Sequence, residues 1–237
     1  MSKYRHILPQ TGRELFATDG GLETTLIYHE RVELPHFAAF DLLKDPAGTS
    51  VLRRYYEAYA MVAREHRVGL VLESATWRAR ADWGSRLGYG AGRLGEINRK
   101  SIALLLDVRR EFETPSTKIV VSGALGPRGD GYVAASRMKP RQAYTYHAEQ
   151  IETFSGTEAD IVTAFTINYV DEAIGVVWAA QENAMPVAIS FTLETDGRLP
   201  SGQPLREAIE QTDEATGDYP AYYMINCAHP THFAHIL

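Results

Sequence analysis

Short apolar runs alternate with longer helical patterns along the chain, and this alternation limits the fold more than any other feature. The runs occupy residues 15–18, 68–72, 118–121, 160–165, 186–191 and 222–225. They are mainly apolar and show no alternation of polar and apolar residues. Such runs are typical of parallel strands that are buried on both faces. We therefore expect six buried strands.

Helical patterns fill the intervals between these runs. They cover residues 50–66, 94–112, 140–154, 171–183 and 205–215, and Pro140 gives the third of them a common start signal. Alternation of strand and helix predicts βα units around a parallel sheet. Both a doubly wound open sheet and an eight-fold β/α barrel fit. No Gly-x-Gly-x-x-Gly follows the first strand, which disfavours a dinucleotide-binding open sheet.

Polar residues or glycines follow every predicted strand, and this favours the barrel. Asp19-Gly20-Gly21 follows the first strand, and Asn226-Cys227 follows the sixth. A barrel builds its active site from the loops at the carboxyl ends of its strands. We predict an α/β fold, a (β/α)8 TIM-type barrel with six βα units in this chain and the last two missing. Residues 1–237 would form a single domain, incomplete at its C-terminal side.

Composition excludes several classes of partner. The formal net charge of -6, without a long basic run, argues against nucleic acid. No apolar stretch approaches the ~20 residues that span a bilayer, so we expect no membrane partner. No secretory signal follows the N-terminus. The single cysteine excludes an internal disulfide, and we expect a reducing, cytoplasmic setting.

The stretch Asp19-Gly20-Gly21 is the first candidate site. Paired glycines let a ligand approach the backbone, whose N–H groups can bind a carboxylate. Asp19 could pair with an ammonium group, so the three residues together suit a zwitterionic amino acid. The alternative, favoured when this stretch is taken alone, is a tight turn in which Asp19 caps the next helix.

Two further groups contain residue types that can bind metal ions or take part in catalysis. Glu194 and Asp196 could act as a carboxylate pair or bind a cation, but solvated loop charges are the better interpretation. Cys227, His229, His232 and His235 only loosely resemble metal-ligand spacing. We favour surface positions for His232 and His235. For Cys227, burial as a small apolar side chain and a functional role both stay open.

Several separated motifs, taken together, resemble the homocysteine S-methyltransferase family from about Phe16 to Leu237. They are the opening stretch Asp19–Thr24, the third-strand stretch Ser122–Pro127, the fifth-strand stretch Ser190–Thr192 with Gly202, and Asn226-Cys227 followed by Pro230. The resemblance implies an eight-fold barrel. It also implies transfer of a methyl group from a small activated donor to the thiolate of homocysteine, giving methionine.

The resemblance implies a Zn²⁺ cofactor held by three cysteines. Cys227 would be the first of these ligands, but the sequence has one cysteine in all. We therefore expect an incomplete zinc site and a chain that is inactive alone, truncated before the late Cys-Cys motif. The acceptor would be homocysteine or a similar thiol or selenol. S-methylmethionine or S-adenosylmethionine would be the donor.

The same resemblance assigns substrate binding to residues in these motifs. Asp19, Gly20 and Gly21 would hold the amino-acid part of homocysteine, and the other expected contacts are Glu23, Thr166, Ser190 and Asn226. Phe165 stands where the family has a glutamate, and Glu194 or Glu73 could compensate. Two alternatives stay open: a metal-independent barrel that binds a small amino acid, and a carboxylate-based hydrolase or lyase that uses Glu194 and Asp196.

Overall fold

The computed structural model of the protein describes residues 2–236. The strands there are β1 (Phe16–Thr18), β2 (Gly69–Glu73), β3 (Ile119–Leu125), β4 (Ile161–Ile167), β5 (Val187–Phe191) and β6 (Tyr222–Ile225). The α-helices are α1 (Leu22–Thr24), α2 (Pro46–His66), α3 (Ala81–Arg86), α4 (Ala91–Phe112), α5 (Pro140–Ser155), α6 (Val170–Glu182), α7 (Leu205–Thr216) and α8 (Pro230–Phe233). Across this part of the chain, no helix combines the length and apolarity that crossing a membrane requires.

The first compact unit comprises residues up to Ala124 together with Thr153–Ile161. Its strands run parallel, with β1 beside β2 and β2 beside β3. Helices α2 and α4 pack together, and α2 also packs on β2. The core contains fully buried side chains from α2, β2, α4 and β3: Leu52, Tyr56, Leu70, Leu72, Ile102, Leu105 and Ile119.

A buried ion pair fixes the end of this unit. The carboxylate of Asp160 is fully buried and accepts hydrogen bonds from Arg109 Nη1 at 2.7 Å, from Val121 N at 2.9 Å and from Tyr4 N at 2.8 Å. Each carboxylate oxygen therefore has a partner, which is the condition for keeping a charge in an apolar interior.

The second unit comprises Leu125–Glu152 and the chain from Val162 onward. Strand β4 runs parallel to β5, and β5 runs parallel to β6. Helix α6 packs against α7. The pairing of β4 with β5 shifts between Ala164 and Ile167, which marks an irregularity in the strand. Thr166, inside that irregularity, has a φ of 61°, a left-handed value that is rare outside glycine.

The predicted βα alternation is confirmed, but two details of the prediction were wrong. Strands β2, β3 and β5 are buried throughout, whereas Ala17 and Thr18 of β1 are exposed and β6 is only half-buried. Within residues 2–236, β1 and β6 each have a neighbouring strand on one side only. Their exposure follows from this edge position and not from their own composition.

The second difference concerns the stretch Ser122–Pro127, which lies beyond the predicted strand at residues 118–121. Strand β3 continues through Leu125, so most of this stretch is strand. Gly123 makes the extension possible, because a Cβ atom at this position would lie 2.7 Å from the ring of Phe154. The glycine therefore serves close packing of an aromatic side chain on the strand.

Candidate functional site

Asp19 lies at the carboxyl end of β1, next to the end of β2. Its backbone N donates to Val71 O at 3.3 Å, and its Oδ2 accepts a hydrogen bond from Glu73 N at 3.3 Å. The interpretation of Asp19 as a helix cap is not supported, because Gly21 is the N-cap of α1 and no side chain caps this helix. The Asp19 carboxylate is thus tied to the neighbouring strand.

Three carboxylates act on one another at this end of the first unit. Asp19 and Glu23 are half-buried, and Glu73 is buried. Burial, followed by the negative charge of Glu73, holds the pKa of Asp19 well above its usual range. Burial also raises the pKa of Glu23 to about 7, although its own backbone N–H and the guanidinium of Arg78 act in the opposite direction. Glu23 therefore exchanges its proton close to neutral pH.

Tyrosines of α2 surround the glycine pair. The hydroxyl of Tyr55 donates to Gly20 O at 2.8 Å. A Cβ atom on residue 20 would lie 2.3 Å from the hydroxyl of Tyr59, so a larger residue there would force this side chain to move. Gly21 has more space, since the nearest atoms to such a Cβ belong to Thr24 at 3.5 Å. Close approach of the helix, not a left-handed backbone, explains the glycine at position 20.

Asn226 organises the candidate residues of the second unit. Its Oδ1 accepts hydrogen bonds from Thr166 N at 3.0 Å and from Ser190 Oγ at 2.8 Å. Its Nδ2 donates to Thr166 Oγ1 at 3.1 Å and to Cys227 Sγ at 3.2 Å. The side chain of Asn226 thus links three other candidate residues, Thr166, Ser190 and Cys227, at the ends of β4, β5 and β6.

Backbone strain is concentrated at the same place. Thr166 has a φ of 61° and Cys227 a φ of 54°, and neither is a glycine. Residues in this region cost of order 1–3 kcal/mol unless the surroundings hold them. Asn226 provides that hold, because it binds the backbone and hydroxyl of Thr166 and the sulfur of Cys227. The thiol of Cys227 is exposed.

The remaining candidates form no common site in the structure. His229 is the N-cap of α8, and its Nδ1 accepts from Thr231 N at 3.3 Å. The rings of His229 and His232 are 6.2 Å apart, and His235 is exposed. Glu194 and Asp196 are exposed loop residues, and Asp196 Oδ1 accepts from Arg198 N. Phe165 is a half-buried residue inside β4.

A zinc ion does not fit the side chains of residues 2–236. No group of three or more His, Cys, Asp or Glu side chains there could hold a metal ion. Cys227 is the only cysteine of the chain, so a three-cysteine site cannot be built from these residues. A zinc-binding role for Cys227 stays a prediction.

Two side chains of the first unit were missed by the sequence reasoning. The hydroxyl of Tyr56 is buried, and Asp19, Glu23 and Glu73 all act on it electrostatically. The guanidinium of Arg78 lies 3.9 Å from the ring centre of Trp83 and 4.7 Å from that of Trp77. Trp77-Arg78 shortly after β2 was the available signal for Arg78. Nothing in the sequence separates Tyr56 from the core tyrosines of α2.

The comparisons with known proteins assign the chain to a family. The sequence profile described as homocysteine S-methyltransferase matches residues 17–237. The chain belongs to the homocysteine S-methyltransferase family, and its enzyme class by this resemblance is methyltransferase. No curated protein sequence matches the chain.

Solved structures support the fold. The metallated form of the homocysteine methyltransferase MmuM from Escherichia coli has a TM-score of 0.75 at 17% identity, over 95% of this chain and 78% of that one. Its oxidized form has a TM-score of 0.75 at 18% identity, over 96% of this chain and 78% of that one. The apo form has a TM-score of 0.68 at 19% identity, over 95% of this chain and 76% of that one. At this identity the likeness shows the fold alone, and it confirms the βα units of a TIM-type barrel.

Proposed function

We propose that the chain binds homocysteine, or a similar thiol or selenol, as the acceptor of a methyl group. The family match carries this proposal. In the reaction a bond forms between the acceptor sulfur and the methyl carbon, while the bond between that carbon and the donor's leaving atom breaks. The thiol proton is lost, and methionine is released. A small sulfonium compound, S-methylmethionine or S-adenosylmethionine, is the proposed donor, since it leaves as a neutral thioether.

The first unit offers the groups that would recognise the amino-acid part of the acceptor. Asp19 supplies a carboxylate for the ammonium group, with Glu23 close by. Gly20 and Gly21 supply backbone without side chains at the end of β1. In the second unit, Thr166, Ser190 and Asn226 form a hydrogen-bonded group with Cys227, and we propose that they too contact the substrate.

Binding and turnover should be measured separately. Calorimetry with L-homocysteine should show binding to the full chain, and the affinity should fall on Asp19→Asn. The matched control is Asp196→Asn, because Asp196 is an exposed loop carboxylate. Absence of homocysteine binding would contradict the proposal.

Turnover identifies the donor and tests the alternative. The chain is incubated with homocysteine and each sulfonium donor, and methionine is detected by mass spectrometry. Product from one donor identifies that donor. Binding without product under all conditions supports the metal-independent amino-acid-binding protein, which the absence of a metal-ligand group in residues 2–236 favours. Zinc content, measured for the purified chain and for Cys227→Ser, tests the proposed ligand role of Cys227.

A further inference from the structure

Residues 31–38 follow the stretch Asp19–Thr24 in the connection between β1 and α2, and their backbone is strained. His36 has a φ of 56° and Phe37 a φ of 54°. Within residues 2–236 they are the only two consecutive non-glycine residues with a positive φ. A left-handed conformation is rare for bulky side chains and costs free energy unless the surroundings hold it. Both side chains are exposed, so burial of their own rings does not provide that hold.

Arg78, which follows β2, holds the two strained residues in place. Its Nη1 donates a hydrogen bond to the carbonyl of His36. Its guanidinium lies 6.0 Å from the ring centre of Phe37 and 3.9 Å from that of Trp83. The Trp83 ring in turn lies 6.3 Å from the ring of His36. One guanidinium thus binds or stacks on both strained residues, and an indole ring fixes its position.

The strained turn lies between two buried residues and is itself exposed. Leu34 and Ala38 are buried, whereas Pro35, His36 and Phe37 between them are exposed. The turn is closed by hydrogen bonds from Phe37 N to Leu34 O and from Ala38 N to Pro35 O, each 3.1 Å long. Exposed turns with few buried contacts open locally without unfolding the core. If the guanidinium were lost, the strain would therefore favour an open conformation of this turn.

The same guanidinium connects this segment to the candidate site. Burial raises the pKa of Glu23, and the charge of Arg78 opposes that shift, so the guanidinium acts on this carboxyl group as well. Residues 31–38 are thus linked to Glu23 through a single side chain. In barrel enzymes, the loops after the strands cover the substrate and open to admit it.

We propose that residues 31–38 form a lid beside Asp19 and Glu23, and that Arg78 is the positioning residue that latches this lid shut. The latch consists of the Arg78 guanidinium, the His36 carbonyl and the rings of Phe37 and Trp83. Its release lets the strained turn relax and opens the way to the end of β1. The inference rests on the proposed function for the identity of the substrate, homocysteine.

Hydrogen exchange of the full chain without ligand tests the latch. The amides of Phe37 and Ala38 report on it, because opening breaks their hydrogen bonds within the turn. Arg78→Met should speed their exchange by about 10-fold or more, because a charged hydrogen bond is lost. The matched control is Arg86→Met. Its guanidinium lies 4.3 Å from the ring centre of Trp83 but forms no hydrogen bond within residues 2–236, so exchange should be unchanged.

Two results of this experiment would overturn the latch. The first is exchange of the Phe37 and Ala38 amides that is unchanged in Arg78→Met or equally fast in Arg86→Met. The second is faster exchange that extends through α4, because it would mean general destabilisation of the unit and not local opening.

A further variant tests the role of backbone strain. Asparagine adopts positive φ more readily than phenylalanine, so Phe37→Asn relieves strain and keeps the His36 carbonyl that Arg78 binds. Arg78→Met should speed exchange of the Ala38 amide less in the Phe37→Asn background than in wild type. Equal acceleration in both backgrounds would refute strain as the cause of opening.

Association kinetics test whether the segment is a lid for the substrate. Arg78→Lys keeps the positive charge near Glu23 but lacks the planar group that stacks on Trp83 while it binds the His36 carbonyl. Homocysteine should associate faster with this variant, by the same factor as exchange at the Phe37 amide is accelerated, because association requires the open state. Faster exchange with an unchanged association rate would overturn the lid. Faster exchange in a chain that binds no homocysteine would support the latch and refute the proposed function.

Discussion

Replacing Asn226 by alanine should destabilise the second unit more than any ordinary surface substitution. The side chain makes four hydrogen bonds, to Thr166 N, Thr166 Oγ1, Ser190 Oγ and Cys227 Sγ. Each bond contributes about 0.5–1.5 kcal/mol net, and Asn226 is only half-buried. We therefore expect a loss of about 2–4 kcal/mol in the free energy of unfolding. For a chain of this size that corresponds to roughly 5–15 °C in melting temperature.

Urea unfolding followed by circular dichroism measures this loss. The matched control is Asn183→Ala in the same unit, where the amide donates a single bond to Ala179 O and about 1 kcal/mol is expected. The variant Thr166→Gly tests the strain, because glycine adopts the positive φ of residue 166 without penalty. It should destabilise less in the Asn226→Ala background than in wild type. Equal losses for Asn226→Ala and Asn183→Ala would refute the reasoning.

Three further predictions concern the first unit. Asp160→Ala should lower the free energy of unfolding in urea by about 3–5 kcal/mol, because it leaves Arg109 buried without its ion-pair partner. The control Arg110→Ala on the same helix removes an exposed ion pair and should lower it by under about 1 kcal/mol. Equal losses for the two variants would contradict this prediction. Glu23 has a folded pKa of about 7, above the ordinary 4.5, so its favourable contribution is complete below pH 4.5 and is lost as the pH rises through 7. Glu23→Gln should therefore gain stability relative to wild type between pH 4 and pH 8, by up to about 3 kcal/mol, and a difference independent of pH would exclude the shift. Gly20→Ala should lower the melting temperature, because the new Cβ atom would lie 2.3 Å from the Tyr59 hydroxyl. Gly21→Ala should leave the melting temperature unchanged, because its Cβ atom would lie 3.5 Å from Thr24. Equal effects of the two variants would contradict the packing argument.

The strands were predictable because buried strands are composed mainly of apolar residues. Each of the six apolar runs contains the core of an observed strand, and the ends of the helix patterns lie within four residues of the observed bounds. The exposure of β1 and β6 was not predictable in the same way. Whether a strand is covered depends on its neighbours in the sheet, and that information is not contained in the strand's own residues.

The candidate site was predictable by residue type but not by contact. The rule that function collects at the carboxyl ends of parallel strands selected Asp19, Thr166 and Asn226. The family resemblance added Ser190 and implied that all four bind substrate. The bonds from Asn226 to Thr166 and Ser190 span 60 and 36 positions of sequence, and no local pattern indicates them. Tyr56 was missed for a different reason, since a helix tyrosine with an unpartnered hydroxyl has the same sequence signature as one packed in the core.

The candidate residues of each unit depart from ordinary packing in a different way, and both departures favour function over structure. In the first unit, the acidic side chains of Asp19 and Glu73 act on each other in a poorly solvated place, and the buried hydroxyl of Tyr56 has no hydrogen-bond partner among residues 2–236. In the second, Thr166 and Cys227 adopt left-handed backbone conformations without being glycine. A sequence selected for stability alone would not keep a buried hydroxyl that Tyr56→Phe removes in one substitution. Unfavourable interactions at the carboxyl ends of parallel strands, where barrels carry their chemistry, are therefore better explained by a ligand that relieves or uses them.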